Sequence, residues 1–285
     1  MKSIHIAAVV LLALVMMMTS AAAFAATEPN SKTLEESISY EDKGIRITID
    51  RWCYAFDRSE LRFFLANVYV DDPSQLQTAF AYEEYSEHGR EATSTIAARH
   101  DAVLAINGDY YNYKTHVNLV IRNGVLYRDR KSTYDQLLIY ADGRFEAIPV
   151  SLYESGHGQE YIDEGVMQSL SFGPLLVYDG ERVRLPSKYV IATGDSVREP
   201  RTGIGWVDGT HYVVLVADGR RDGWSDRGMT LQEMQQVFKE QGCRIAYNLD
   251  GGGSSTMVLN GELVNMTSGS RERDVSDILY FTALP

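Results

Sequence analysis

Apolar residues occur in many short segments of the chain, either alternating with polar residues or in brief continuous runs. Residues 45–49 place isoleucine at every second position, which predicts a half-buried strand. Residues 62–70 predict a second strand with mixed faces. The apolar run at 102–106 predicts a buried strand that opens into a functional loop, because it ends abruptly at Asn107-Gly108-Asp109.

The second half of the chain joins apolar segments through Asp-Gly or Asn-Gly turns, a pattern typical of β-hairpins. The predicted hairpins span residues 137–150, 175–185, 204–217 and 257–264. Thr230 and Glu233 form a capping box before apolar residues at helical spacing, and Gly242 stands where that helix would end. We therefore expect an α+β fold with mixed, largely antiparallel sheets and few helices, in a single domain over residues 44–285.

The first 26 residues have the pattern of a secretory signal peptide. Lys2 precedes an apolar stretch, and Ala23-Phe24-Ala25 matches the small-residue cleavage site. An uncleaved N-terminal anchor is the alternative, although the apolar stretch is near the lower limit for a membrane span. The polar residues 27–43 are interpreted as a linker. These patterns predict an exported protein, secreted or associated with the cell envelope, with no membrane span after signal cleavage.

The composition allows a folded core and disfavours a general nucleic-acid binder. The chain of 285 residues is 45% hydrophobic and 23% charged, close to globular averages. Its formal net charge is -12, whereas nucleic-acid binding requires a basic face. The two cysteines, Cys53 and Cys243, leave open both one disulfide and two free thiols in an exported protein.

The segment from Asn248 to Thr256 carries the clearest chemical pattern. Asp250 ends a predicted strand, where rigid backbone would hold a catalytic carboxylate. Gly251, Gly252 and Gly253 follow, and such a run lets successive N–H groups turn toward an anion. Ser254, Ser255 and Thr256 add hydroxyl donors. A plain glycine turn is the alternative, because Asp-Gly occurs elsewhere in the chain as an ordinary turn.

Three further segments carry candidate residues. Asn107, Asp109 and Tyr110 would suit a sugar, because amide and carboxylate groups bind hydroxyls and an aromatic face stacks on the ring; an ordinary Asn-Gly turn is the alternative. Arg201, at the start of a predicted strand, has the fork geometry that binds phosphate, whereas a lone arginine is usually a surface ion pair. Asp218 offers a second carboxylate or a turn residue.

These motifs occur in the order found in the phosphodiester glycosidase family, which the chain resembles over roughly residues 90–285. The motifs are Asn107 to Tyr111, Ser171 to Pro174, Pro200 to Gly205, Asp218 to Arg220, Gly228 to Leu231, Asn248 to Ser255, Asn260-Gly261 and Arg273. The resemblance implies an exported bacterial hydrolase that cleaves the glycosidic bond of a sugar-1-phosphodiester, such as a GlcNAc-1-phosphodiester. The products would be a free sugar and a phosphomonoester.

The resemblance also assigns roles to the candidate residues. Asp250 and Asp218 become the catalytic pair, with Asp250 the more important. Arg201, Arg273 and the three glycines 251–253 become the phosphate site. Asn107, Asp109 and Tyr110 become the sugar site. The implied partner is a phosphodiester-linked carbohydrate or a cell-wall glycopolymer such as a teichoic acid.

Two other functions remain open at this stage. The first is a non-catalytic module that binds a cell-wall polymer or exopolysaccharide with the same fold. The second is a phosphodiesterase that cleaves the other ester bond with a divalent cation held by Asp109, Asp218 and Asp250. The sequence does not establish a cofactor, and the histidines lack the spacing of a zinc site.

Overall fold

The computed structural model describes residues 28–112, 118–185, 197–220 and 227–285. The predicted signal peptide, residues 1–26, lies outside these residues. Within them, every helix is too short or too polar to cross a bilayer.

The described residues form eighteen strands and three α-helices. The strands are β1 Ser31–Asp42, β2 Ile45–Phe56, β3 Ser59–Val70, β4 Leu76–Phe80, β5 Leu104–Asn107, β6 Leu119–Arg122, β7 Val125–Asp129, β8 Gln136–Tyr140, β9 Phe145–Ile148, β10 Val166–Leu170, β11 Leu175–Tyr178, β12 Glu181–Arg182, β13 Arg201–Asp208, β14 His211–Ala217, β15 Ile245–Asn248, β16 Met257–Leu259, β17 Glu262–Leu263 and β18 Asp277–Phe281. The helices are α1 Thr93–Arg99, α2 Gly158–Asp163 and α3 Leu231–Glu240.

The strands form two large sheets and two small ones, and every pairing between the described strands is antiparallel. The eight-stranded sheet has the order β1-β2-β3-β14-β13-β15-β11-β12, and the five-stranded sheet has the order β17-β16-β5-β18-β4. The smaller sheets are β10-β8-β9 and β6-β7. The predicted fold class, largely antiparallel sheets with few helices, is confirmed.

The main core fills the space between one face of the eight-stranded sheet and the other sheets. Ile47 and Val214 from the eight-stranded sheet are buried in the same cluster as Leu137 of β8 and Leu279 of the five-stranded sheet. Helix α3 covers the opposite face of the large sheet, where its Phe238 joins a second cluster. The site elements β5 and β15 therefore lie in two different sheets that are packed together.

Residues 31–42 form strand β1, where the sequence analysis predicted part of a linker. The strand pairs with β2 along its whole length, and ion pairs such as Arg51 Nε to Glu35 Oε2 at 3.0 Å support it. Nearly all of its side chains are exposed. The hydrophobic pattern missed it because only Ile38 and Tyr40 of this edge strand pack against the core, while most of its other side chains are polar and exposed.

The four predicted hairpins are confirmed as β8-β9, β11-β12, β13-β14 and β16-β17. Strands β4, β6, β7 and β10 were not predicted. Strands β4 and β10 are short and lack a clear alternation, whereas β6 and β7 are joined by Asn123-Gly124, a hairpin signal that the sequence analysis overlooked. The partners of β4 and β10, which are β18 and β8, are distant from them in the sequence.

Cys53 and Cys243 are buried free thiols. Cys53 lies on β2, and the sulfur of Cys243 packs against Gly205 of β13. These strands are three positions apart in the sheet, a distance of about 14 Å. A disulfide requires Cα atoms within about 7 Å, so the two cysteines do not form one with each other.

The capping box predicted for α3 is present and provides a test of the helix. Thr230 Oγ1 accepts the N–H of Glu233 at 3.2 Å, and Glu233 Oε2 accepts the N–H of Thr230 at 2.9 Å. We expect Thr230→Ala to lower the free energy of unfolding by about 1 kcal/mol, because it leaves an N-terminal N–H without its acceptor. Chemical denaturation checks this value. Thr230→Ser, which keeps the hydroxyl, should lose much less.

Candidate active site

The loops that follow β5 and β15 are held together by hydrogen bonds. Asn107 Nδ2 donates to the carbonyl oxygen of Asp250 at 2.7 Å, and the N–H of Asp250 donates to the carbonyl oxygen of Gly108 at 3.3 Å. Asn107 Oδ1 accepts from Thr202 Oγ1 at 2.8 Å and from the N–H of Thr256 at 3.2 Å. The ends of the two sheets are therefore fixed relative to each other, with Asp250 at their junction.

A cleft of about 200 Å³ opens beside this junction, and four arginines line it. Arg201 is the buried one, with its side chain held by the carbonyl oxygens of Met229 and Val197 at 3.1 and 2.8 Å. Among the described residues, no carboxylate lies within ion-pairing distance of Arg201. Burial lowers the pKa of Arg201 to about 10, so the cation remains charged at neutral pH but is poorly hydrated. A desolvated cation without a carboxylate partner favours an anionic ligand.

The other three arginines differ in their surroundings. The guanidinium of Arg273 occupies the space where a side chain on Gly253 would lie. Arg90 lies over the ring of Tyr110, with 4.9 Å between the guanidinium carbon and the ring centroid. Arg220 is paired with Glu199, which also lines the cleft. The charge of Arg220 is thus partly neutralised, whereas Arg273 and Arg90 have no carboxylate within ion-pairing distance in the described chain.

Asp250 is the carboxylate at the centre of the cleft. Burial raises its pKa to about 6, and the raised value persists although the Ser254 hydroxyl, the N–H of Gly251 and Arg273 all favour the ionised form. The N–H of Gly251 donates to Asp250 Oδ1 at 2.8 Å. The side chain is only half-buried, so it remains open to the cleft. A carboxyl with this pKa changes protonation state near neutral pH, as a catalytic acid or base must.

The glycine run does not form the open anion nest that its sequence predicted. The N–H groups of Gly252, Ser254 and Ser255 donate to the carbonyl oxygens of Pro200, Gly251 and Gly252. The glycines serve close packing instead. A Cβ on Gly251 would lie 2.8 Å from the Pro200 carbonyl oxygen, and Gly252 has φ +62°, which favours glycine. Three of the N–H groups in this segment are thus used inside the protein, and the guanidinium groups that line the cleft are the charged candidates for anion binding.

Asp218, predicted as the second catalytic carboxylate, does not line the cleft. It is buried, and Asp218 Oδ1 accepts the N–H of Met266 at 3.1 Å and Nδ2 of Asn265 at 3.4 Å. An Asp-Gly dipeptide at a strand end looks the same in sequence whether its carboxylate faces solvent or the interior. Asp218 is thus engaged by Asn265 and Met266 and, unlike Asp250, does not line the cleft.

Two predicted sugar ligands are also buried below the surface of the cleft. Asn107 is fully buried and uses both of its polar atoms in the loop junction described above. Asp109 is ion-paired with Arg122 at 3.0 Å and accepts the N–H of Ser171 at 2.7 Å. Tyr110, in contrast, lines the cleft with φ +59°, a backbone conformation that is rare for a non-glycine residue and frequent at functional sites.

Of the three predicted hydroxyl residues, only Ser254 lines the cleft. Ser255 and Thr256 are buried beneath it. Five lining residues were not assigned a site role from the sequence motifs: Arg90, Glu199, Arg220, Asp274 and Val275. Arg90 could not have been found, because it stands alone in an irregular segment. Phe172, from the Ser-Phe-Gly-Pro turn, lines the cleft as that turn suggested.

The three carboxylates considered for a divalent cation are not arranged as one ligand set. Asp109 is bound to Arg122 and Asp218 to amide donors, while Asp250 alone faces the cleft. Within the described ranges, no group of three His, Cys, Asp or Glu side chains has the geometry to hold a metal ion.

The family model of the phosphodiester glycosidases matches residues 100–282, well over half of the chain. The chain belongs to the phosphodiester glycosidase family. It is 30% identical to the SPbeta prophage-derived uncharacterized protein YomE of Bacillus subtilis, over 72% of this chain and 33% of that protein. It therefore spans about a third of the length of that relative. A shorter match, 38% identical over 73 residues, links it to mouse N-acetylglucosamine-1-phosphodiester alpha-N-acetylglucosaminidase, covering 26% of this chain and 14% of the mouse protein.

Solved structures agree with the family assignment at the level of the fold. The catalytic domain of zebrafish N-acetylglucosamine-1-phosphodiester alpha-N-acetylglucosaminidase matches with a TM-score of 0.65 at 21% identity, covering 88% of this chain and 87% of that domain. A protein of Burkholderia pseudomallei that is described as exported matches with a TM-score of 0.52 at 15% identity, covering 78% and 74% of the two chains. At these identities the matches support a common fold.

Proposed function

We propose that this phosphodiester glycosidase hydrolyses the glycosidic bond of a sugar-1-phosphodiester and releases a free sugar and a phosphomonoester. The observation that carries the proposal is the pairing, in one cleft, of a carboxyl group with a raised pKa and a buried arginine that has no carboxylate partner among the described residues. The arginine suits the anionic phosphodiester, and the carboxyl group suits chemistry at the adjacent anomeric carbon.

Arg201 and Arg273 would bind the phosphodiester. Arg201 is fixed on β13 by two carbonyl acceptors, so its fork is held in one orientation. Arg273 interacts electrostatically with Asp250, which brings its charge near the carboxylate. A phosphate between the two guanidinium groups would place the sugar-phosphate linkage beside Asp250.

The bond between the anomeric carbon and the phosphate oxygen would break, and its electron pair would leave with the phosphate. The departing phosphomonoester is a stable anion that the arginines neutralise, so its departure needs little protonation. The remaining task is to form the new bond to the anomeric carbon. The ionised carboxylate of Asp250 either takes a proton from the attacking water or attacks that carbon itself, forming a glycosyl ester that water then hydrolyses to the free sugar. Both roles require Asp250 to be deprotonated.

Tyr110 and Phe172 would contact the sugar. Both line the cleft, and aromatic side chains stack on the apolar face of a pyranose ring. Arg90 covers the ring of Tyr110, which fixes the orientation of the tyrosine at the entrance. These contacts suit a sugar ring without specifying which sugar it is.

The proposed role of Asp250 predicts the pH dependence of the reaction. Burial raises the pKa of Asp250 to about 6, so the carboxylate form becomes scarce as the pH falls through that value. We expect kcat/KM to be constant above about pH 7 and to fall about tenfold per pH unit below about pH 5. Initial rates measured at constant ionic strength check this. A rate that rises as the pH falls through 6 would instead assign Asp250 as a general acid.

A product assay tests the proposed reaction. The purified protein is incubated with UDP-GlcNAc or with methyl-phospho-GlcNAc, with and without EDTA. Free GlcNAc together with UDP from the first substrate, or with methyl phosphate from the second, is the expected result in both conditions. Sugar-1-phosphate as the product, lost in EDTA, would favour a cation-assisted phosphodiesterase. Absence of turnover together with saturable binding to a wall polymer would favour a binding module.

We further propose that the protein is exported and acts on a phosphodiester-linked carbohydrate or a glycopolymer of the bacterial cell envelope. The signal-peptide pattern in residues 1–26 supports export. The fold shared with a Burkholderia protein described as exported is consistent with it. Immunoblotting of secreted, envelope and cytoplasmic fractions checks this proposal, and recovery of the protein in the cytoplasm alone would contradict it.

A further inference from the structure

Three tyrosine rings form a column that runs from the protein interior to its surface. Tyr111 is almost fully buried, and its ring centroid lies 5.2 Å from that of Tyr85, with 22° between the ring planes. The ring centroid of Tyr85 lies 5.1 Å from that of Tyr127 on β7, and Tyr127 is 40% exposed. Phe80, the last residue of β4, contacts all three rings in edge geometry, with centroid distances of 5.3, 5.8 and 5.0 Å. The column therefore ends in an aromatic ring that is open to solvent.

A fourth tyrosine lies close to this column. Tyr82 is 63% exposed, and its backbone has φ +56°, a conformation that costs energy for a residue other than glycine. A Cβ on Gly89 would lie 3.5 Å from Tyr82 Cδ2 and 3.2 Å from the Cβ of Ser86, so the tyrosine ring lies against the segment that follows Tyr85. Tyr82, Tyr85 and Tyr127 are called the aromatic surface below.

The aromatic surface adjoins the cleft at two points of the chain. Tyr111 directly follows Tyr110, which lines the cleft. Gly89 directly precedes Arg90, which lines the cleft and lies over the ring of Tyr110. The Tyr111 hydroxyl accepts the N–H of Ser86 at 3.1 Å and donates to the carbonyl oxygen of Ser86 at 2.9 Å, so the two segments are joined. The aromatic surface is therefore held next to the wall of the cleft that carries Tyr110.

Charge distinguishes the aromatic surface from the cleft. Four arginines line the cleft, where the phosphodiester is proposed to bind. Residues 82–87, which carry two of the tyrosines, also include Glu83, Glu84 and Glu87, and all three glutamates are exposed. These carboxylates would repel a second phosphate, whereas they can accept hydrogen bonds from the hydroxyl groups of an uncharged sugar. Exposed aromatic rings beside such acceptors suit a neutral carbohydrate.

We propose that the aromatic surface binds the outer sugar units of an uncharged oligosaccharide whose reducing end carries the phosphodiester. The proposal rests on the function proposed above, in which the reacting sugar contacts Tyr110 and its phosphate binds Arg201. The further sugars extend from Tyr110 toward Tyr127, away from the arginines. The substrate class is then an oligosaccharide-1-phosphodiester. Water adds at the same anomeric carbon, so the products are a free oligosaccharide and a phosphomonoester.

The length of the glycan tests the proposal in the unsubstituted protein. The two substrates are the methyl phosphodiesters of GlcNAc and of the β-1,4-linked tetrasaccharide of GlcNAc. We expect kcat/KM for the tetrasaccharide to exceed that for the monosaccharide by about tenfold, the scale of a sugar ring stacked on an exposed aromatic side chain. Equal kcat/KM values for the two substrates would overturn the proposal.

Tyr127→Ala should abolish most of this preference and leave kcat/KM for the monosaccharide unchanged, whereas Tyr127→Phe, which keeps the ring, should retain the preference. Tyr69→Ala is the matched control, because Tyr69 is 39% exposed and its ring is stacked on that of His211 at 4.1 Å. Tyr69 pairs with His211 at the start of β14, whereas Ala217 at the other end pairs with Arg201 of the cleft. Equal losses on both substrates in Tyr127→Ala, or a lost preference in Tyr69→Ala, would contradict the proposal.

Direct binding separates this proposal from the proposed reaction. The tetrasaccharide methyl phosphodiester is titrated calorimetrically into Asp250→Asn, alone and combined with Tyr127→Ala or Tyr69→Ala. We expect Tyr127→Ala to weaken binding by about tenfold and Tyr69→Ala to leave it unchanged. Tyr82→Ala, at a more exposed position, should weaken binding in the same direction and replaces Tyr127→Ala if that variant does not fold.

The binding result does not depend on turnover. Binding that requires the Tyr127 ring, in a protein that releases no sugar, would refute the proposed reaction and support the aromatic surface. Absence of binding, or equal affinity with and without the Tyr127 and Tyr82 rings, would overturn the aromatic surface even in an active enzyme.

Discussion

Asp250→Asn is expected to lower kcat/KM for a sugar-1-phosphodiester by about 10³-fold or more, the scale of losing a positioned catalytic group. Asparagine keeps the shape of the side chain and an oxygen that can accept the N–H of Gly251. It cannot act as a base or a nucleophile. The loss should therefore appear in the chemical step, with KM little changed.

The same substitution should not destabilise the protein at neutral pH. The pKa of Asp250 is raised in the folded state, so Asp250 reduces stability as the pH rises from the unfolded value, near 4, through about 6. The asparagine side chain of the variant does not ionise and lacks this cost, so the Tm at neutral pH should stay the same or rise. Loss of activity together with an unchanged or higher Tm separates a catalytic role from a structural one.

Asp274→Asn is the matched control, because Asp274 is an exposed carboxylate that lines the same cleft. It should change kcat/KM by less than about tenfold, since a solvated charge at the rim contributes little. Near-normal turnover by folded Asp250→Asn, or an equal loss in both variants, would contradict the assignment of Asp250.

Arg201→Met is expected to raise KM for a phosphodiester substrate by about 100-fold, which corresponds to losing charge-assisted hydrogen bonds to the phosphate. Methionine retains much of the buried apolar volume while removing the charge. Hydrolysis of a neutral aryl glycoside of the same sugar, if it is detectable, should change far less. The comparison of the two substrate classes in one variant isolates the contact with phosphate.

Arg90→Met provides the control for Arg201. Arg90 also lines the cleft without a carboxylate partner in the described chain, but it is exposed and lies over Tyr110. Its removal should affect phosphodiester and neutral substrates alike, because its proposed role is to orient the tyrosine. Equal losses on both substrate classes in Arg201→Met would reject the phosphate role of Arg201.

The sequence predicted the strand-rich fold well where short-range signals specify it. Asp-Gly and Asn-Gly turns located the four hairpins, and the capping box at Thr230 located α3. Strand β1 was missed because most of its side chains are polar and exposed, and β4 because it pairs with β18 about two hundred residues away. When two strands that pair are so far apart in the sequence, no local pattern reveals that they pair.

The candidate site was predicted in part. Asp250, which lines the cleft, was singled out because a polar residue at the end of a buried strand is followed there by three glycines, which cost conformational entropy on folding. The same reasoning misplaced Asp218 and Asn107, which are buried polar residues that organise loops. A sequence shows which residues are polar at a strand end, whereas burial depends on what the rest of the chain places over them.

The role of the glycine run illustrates the same limit. Three glycines indicate that backbone comes close to something, but the partner is not visible in the sequence. In the structure the close neighbours are the Pro200 carbonyl oxygen and the guanidinium groups of Arg220 and Arg273. The glycines thus make room for the residues that would bind an anion.

The most direct test of the proposed reaction is hydrolysis in water enriched in oxygen-18, followed by mass spectrometry of both products. Cleavage between the anomeric carbon and oxygen places the label in the free sugar and leaves the phosphomonoester unlabelled. We predict this result for the unsubstituted protein, with little label incorporated into either product by Asp250→Asn. Label in the phosphate, with none in the sugar, would show attack at phosphorus and contradict the glycosidase assignment.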